Sequence, residues 1–114
     1  LLDAGTNIDE IEYGSTPLYE AVTYSKIPII KLLLSRGANV NFINSLTGTS
    51  ILVAAVKNSN LAIVRLLLEH GANPNPAPSF GETPLSIARI HKDSIYSLPD
   101  ALEIYNLLRD NIPP

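Results

Sequence analysis

Two histidines, His70 and His91, three neighbouring carboxylates, Asp9, Glu10 and Glu12, and the serines Ser15 and Ser50 are the side chains of this 114-residue sequence whose types invite a search for chemistry. A metal centre needs three or four His, Cys or carboxylate ligands brought together. This chain has no cysteine, and its two histidines stand at unrelated positions. His70 precedes a glycine at the end of a helical pattern, where a histidine complements the helix dipole, so a surface capping role is expected. His91 falls near the end of another helix and is available to a partner. A catalytic carboxylate needs an apolar surround or a like charge to raise its pKa. Nothing apolar encloses Asp9, Glu10 and Glu12, which read as a solvated loop. Ser15 and Ser50 fit turn and cap positions. No Gly-x-Gly-x-x-Gly, phosphate loop or cysteine nucleophile occurs. The residues therefore predict no enzyme activity, no catalytic residue, no metal and no cofactor.

What, then, must these residues be mounted on? With 46% apolar residues the chain can bury a core. A net charge of −3 argues against nucleic acid or an anionic membrane as the main partner, since both call for a basic face. The apolar pairs and triplets, such as Leu32-Leu33-Leu34, are broken by Lys31 and end at Ser35-Arg36, far short of a membrane span. Absence of cysteine suits a cytoplasmic or other reducing compartment.

Internal repetition organises the rest. Gly14-Ser15-Thr16-Pro17-Leu18, Gly48-Thr49-Ser50-Ile51-Leu52 and Gly81-Glu82-Thr83-Pro84-Leu85 recur at spacings of 34 and 33 residues, and Ala21, Ala55 and Ala88 keep the step. From Leu18 to Gly37 and from Leu52 to Gly71 the distance is 19 residues both times, whereas the intervals from Gly5, Gly37 and Gly71 to the next repeat start are 9, 11 and 10. Loops tolerate length changes and packed elements do not, so the constant stretch is the helical one. Thr16-Pro17 and Thr83-Pro84 set a capping hydroxyl before a first-turn proline, and Ser50 keeps the hydroxyl without the proline. Second helices are expected over 27–35 and 61–69, closed by left-handed Gly37 and Gly71. Two such short helices cannot cover their own leucines, each worth roughly 1.5–3 kcal/mol when buried. They need a neighbouring unit, which is the logic of a solenoid.

Thr16, Pro17, Leu18 and Ala21, with Thr83, Pro84, Leu85 and Ala88, match the Thr-Pro-Leu-His-x-Ala string of the ankyrin repeat, and 32–38 and 66–72 match its leucine-rich Gly-Ala ending. The chain resembles that family over nearly its whole length. The resemblance implies an all-α solenoid of helix-turn-helix units joined by hairpin fingers. Two departures stand out. Tyr19, Val53 and Ser86 replace the family histidine, so weaker caps are expected, and Ser25 and Ser59 replace the glycine of the helix–helix turn.

A single domain over 1–114 is expected to divide into the end of a truncated repeat with the first finger (1–13), a repeat at 14–47, a repeat at 48–80 and a C-terminal capping repeat at 81–114. The last has an insertion near 91–98, which lengthens the first helix or forms a loop, with Ser97 as cap and Asp100 in a capping box ahead of a second helix over 100–109. Arg109 replaces the third leucine, as a polar outer face requires. Leu1, Leu2 and Ala4 read as an uncovered apolar edge onto which further repeats would stack.

In the family that this chain resembles, partners lie on the concave side formed by the fingers and first helices. Carried over by position, the fingers contribute Glu12, Tyr13 and Ser15, then Leu46, Thr47 and Thr49, then Ser79, Phe80 and Glu82. The first helices contribute Thr23 and Tyr24, then Lys57 and Asn58, then Ile90 and His91. Aromatic residues in such a row suit binding hot spots. Asn41 and Asn75 occupy the finger asparagine, expected to bond turn backbone. The resulting expectation is a monomeric protein–protein interaction module. The alternatives are a targeting or scaffold arm of a larger multidomain enzyme or host-directed effector, and an array that self-associates through its N-terminal face.

Overall fold

The structure is a computed structural model and describes residues 8–74, 83–93 and 100–112. Within them the chain forms three helical hairpins: α1 (Pro17–Thr23) with α2 (Ile27–Ser35), α3 (Ile51–Lys57) with α4 (Leu61–Glu69), and α5 (Pro84–Asp93) with α6 (Ala101–Asn111). Each first helix begins where a hydroxyl satisfies an orphan backbone donor. The Tyr19 N–H donates to Thr16 Oγ1 (3.3 Å), the Val53 N–H to Ser50 Oγ (3.1 Å) and the Ser86 N–H to Thr83 Oγ1 (3.1 Å). In the third unit Ser86 also reciprocates, its Oγ accepting from the Thr83 N–H at 3.0 Å. The serine in the family histidine's place thus completes a two-way cap of its own.

The α1–α2 and α3–α4 turns and the ends of α2 and α4 close in one way. The amide two residues past each cap residue reaches back to the carbonyl of the last full turn. Ala38 N–H meets Leu33 O (3.1 Å) and Ala72 N–H meets Leu67 O (2.9 Å), with Gly37 and Gly71 at φ +83° and +90°. Lys26 N–H to Ala21 O (2.9 Å) and Asn60 N–H to Ala55 O (3.4 Å) repeat the closure after α1 and α3, but with Ser25 and Ser59 at φ +54° and +53°. A Cβ at Gly37 or Gly71 would meet nothing within 4 Å, so glycine is required there by backbone angle and not by space.

The first helices stack in the order α1, α3, α5, and the outer helices pack behind them. α3 lies between two neighbours, and its residues Ile51, Leu52, Val53, Ala54, Ala55 and Val56 are all buried. The small residues Ala21, Ala55 and Ala88 are buried at the helix crossings, where a methyl group lets the neighbouring helix approach closely.

Burial of the outer helices changes along the stack. Ile63 of α4 and Ile104 of α6 are fully buried, but their counterpart Ile29 of α2 is 40% exposed, and Leu32 beside it is 45% exposed. On the opposite side the sequence runs from buried Leu34 through half-buried Leu68 to exposed Arg109. The polar end is that of the third unit.

In the third unit α5 continues through His91 to Asp93, three residues longer than α1 or α3, so the inserted residues begin by lengthening the first helix. The start of the second helix departs from expectation. α6 starts at Ala101, with Asp100 itself as the residue before the helix, at φ +65° and without a side-chain capping bond. Asp100 is therefore not the third residue of a helix begun at Ser97, because a left-handed residue cannot sit within a right-handed turn. Ser97 lies outside the described residues, as do Leu1, Leu2 and Ala4.

Candidate partner-binding face

The first finger is the shorter of the two described. Glu12 and Ser15 exchange both backbone hydrogen bonds, at 2.8 and 3.0 Å, across Tyr13 and Gly14. Both loop residues have positive φ, +53° and +78°, as a two-residue turn of the hairpin hand demands. Asparagine or aspartate followed by glycine is the usual solution; here a tyrosine takes the first place and is 91% exposed. The second finger is longer. Buried Asn44 organises it, its Oδ1 accepting from the N–H groups of Leu46 (2.8 Å) and Thr47 (3.3 Å). Leu46 lies across the first finger: a Cβ on Gly14 would come within 2.6 Å of Leu46 Cγ.

Successive fingers are also tied at their roots. Asp9 Oδ1 accepts from the Asn39 N–H (2.8 Å), and 32 residues on Asn41 Oδ1 accepts from the Asn73 N–H (2.7 Å). The turn whose backbone Asn41 bonds is thus that of the following unit. Asn75 lies outside the described residues.

Between the fingers and the first helices runs an open groove of about 350 Å³, lined by Tyr19, Thr23, Thr47, Thr49, Ala54, Lys57 and Asn58. Five of these seven were expected from sequence position. The geometry separates them by availability. Thr23, Thr47 and Lys57 are exposed, whereas Thr49 is 8% exposed and its amide is bonded to Thr47 Oγ1 (3.2 Å). Asn58 is committed to the scaffold: its Nδ2 donates to Val22 O (3.2 Å) and Thr23 O (3.0 Å), clasping the end of α1 to the end of α3. Ser15 is 5% exposed, so its side chain does not belong to the exposed row. Glu12 and Tyr13 on the first finger, Tyr24 (67% exposed) after α1, Leu46 (72%) on the second finger and Ile90 (64%) on α5 remain open to solvent, with His91 half-exposed. Ser79, Phe80 and Glu82 lie outside the described residues.

Tyr19 and Ala54 also line the groove, outside the row of residues expected from the sequence. Helical spacing could have found both, because Tyr19 is four residues before Thr23, and Ala54 three and four before Lys57 and Asn58. Tyr19 also explains Phe42: the two rings meet edge to face at 6.1 Å, so this finger phenylalanine anchors the second finger to the helices.

Other titratable side chains have bland settings. His70 caps α4, its Nδ1 2.9 Å from Leu66 O. Among the described residues no three His, Asp or Glu side chains gather in a way that could hold a metal ion, and no helix is long and apolar enough to cross a membrane. A second depression of about 400 Å³ lies between α4 and α6, lined by Arg65, Leu68, Glu69, Leu107 and Asn111.

Comparison with known proteins agrees with this architecture. The profile for ankyrin repeats in three copies matches residues 37–108, more than half of the chain, and the single ankyrin-repeat profile matches residues 13–45. The chain belongs to the ankyrin-repeat family. As a family these repeats are protein–protein interaction modules and are typically non-catalytic. Relatives include the ankyrin repeat, SAM and basic leucine zipper domain-containing protein 1 of Neofelis nebulosa and of Mus musculus. Each is 44% identical over 43 residues, 37% of this chain and 9% of that protein. A Fowlpox virus (strain NVSL) protein named as an ankyrin repeat protein is 48% identical over 52 residues, 41% of this chain and 10% of its own length. The matched stretch is thus about a tenth of each relative.

Proposed function

We propose that this chain is a non-catalytic module that holds a partner protein across the groove and the finger tips. The observation that carries the reading is the disposition of large exposed apolar side chains. Tyr24 follows α1 and Leu46 lies on the second finger, two elements that line the groove, while Tyr13 on the first finger and Ile90 on α5 belong to the finger and the first helix that adjoin them. An open groove with apolar anchors on and beside the elements that form it has the layout of an interface with a hydrophobic centre and hot spots. The hydroxyls of Thr23 and Thr47 supply adaptable polar contacts. The depression between α4 and α6 is of similar size but offers exposed Arg65 already paired with Glu103 (3.7 Å) and no exposed aromatic group.

The test is the double substitution Tyr13→Ala with Tyr24→Ala, assayed against a partner recovered from native host extract. Binding is expected to weaken at least about tenfold, the scale of losing two modest hot spots, while the melting temperature stays nearly constant. A fall in melting temperature of many degrees would mean that the tyrosines are structural.

A second reading is that the module is the targeting or scaffold arm of a larger protein, including an enzyme or a host-directed effector. It is favoured by the relatives, in which the matched stretch is only 9–10% of the length. The isolated chain is expected to be a monomer in sedimentation at high micromolar concentration; dimers there would favour self-association through Ile29 and Leu32.

A further inference from the structure

The two described fingers differ in charge as well as in length. Residues 8–16 contain three carboxylates and no base, and residues 38–50 contain no charged side chain at all. The field of the first finger is therefore not offset by the second. Glu10 and Glu12 are exposed, and neither pairs with a cation among the described residues. They stand beside large apolar side chains that are open to solvent. Tyr13 is 91% and Ile11 61% exposed, and Leu46, 72% exposed, rests on Gly14 beside Tyr13. The groove's cation, Lys57, is already engaged in an interaction of its own.

We propose, on the basis of the binding-face reading above, that the tips of the first two fingers take a partner segment combining apolar side chains with lysine or arginine. Tyr13 and Leu46 form the apolar centre that excludes water. Glu10 and Glu12 stand at its rim, where charges steer encounter and select partners more than they add affinity. An acidic apolar segment would meet the same surface with like charges and be rejected.

The test uses two 12-residue peptides with the same leucine and tyrosine content, one alternating these with lysine and the other with glutamate. Each is titrated into the isotopically labelled chain while backbone amide shifts are followed. The basic peptide is expected to move amides of residues 10–14 and 43–48, more strongly at low salt than at high salt. Glu10→Gln with Glu12→Gln is expected to weaken it about three- to tenfold, the combined effect of two exposed charges. The control pair Glu69→Gln with Glu103→Gln, on the outer helices, is expected to leave it unchanged. Equal binding of both peptides at the fingers would overturn the charge preference while leaving the binding face intact. The proposal is also overturned by no shifts with the basic peptide, by shifts elsewhere, or by equal weakening in the control. Finger shifts that depend on the chain's own concentration would instead assign the patch to a second copy.

Discussion

Tyr13 and Ser25 occupy the same strained region of backbone space for different ends. Both are non-glycine residues at φ near +54°, a region that disfavours a Cβ by roughly 1–2 kcal/mol. Ser25 is exposed and closes the α1–α2 turn where a glycine would serve equally. Ser25→Gly is therefore expected to stabilise the chain by about 0.5 kcal/mol, the strain relieved less the extra freedom given to the unfolded state. Urea unfolding would show it as a higher midpoint at unchanged slope. The reverse experiment, Gly37→Ala, is expected to cost about 1–2 kcal/mol although the space beside Gly37 is empty. A negligible cost would mean that the turn readily adopts another conformation. Tyr13 is a residue that breaks a local rule without a structural return, since its ring is almost wholly in water. Such breaches point to function. Tyr13→Asn should match or raise stability while weakening partner binding, a pairing of effects that a structural tyrosine could not give.

At the scale of elements, the first helices depend on their caps and on one cross-repeat clasp. Ser50→Ala is expected to cost about 1 kcal/mol, the usual value of a lost hydroxyl cap. Because α3 is packed between α1 and α5, amide exchange should rise in all three helices and not in α3 alone. Asn58→Ala removes two side-chain bonds to the end of α1 and is expected to cost about 1–2 kcal/mol; hydrogen exchange confined to α3 and sparing α1 would contradict the clasp. The positions of the helices could be read from the repeat because a constant 19-residue interval, threonine–proline starts and glycine ends are local signals that the fold then obeys. The clasp could not. Asn58 sits at an exposed first-helix position, and its partners are carbonyls 35 and 36 residues earlier in the chain. For the same reason Thr49 and Ser15 read as surface residues, although the neighbouring fingers and helices bury them. In the third unit the extra residues fixed only that the pattern was broken; where α6 begins rests on the left-handed turn at Asp100.

The whole molecule is a stack whose hydrophobic units rely on each other, and the binding side proposed for it is the one where the units differ most. The helices repeat with little change, while the fingers vary in length, charge and apolar content. An account in which the repeats supply the scaffold and the fingers and groove supply recognition makes a direct demand: a partner must lie against that side. The measurement is site-specific photo-crosslinking in native extract, with a crosslinking phenylalanine analogue placed singly at Tyr24, Leu46, Ser35 or Glu69. The account predicts a discrete adduct with one protein from Tyr24 and Leu46 and none from Ser35 and Glu69, which are exposed on the outer helices. An adduct formed only from the outer helices, or from all four positions without distinction, would contradict it.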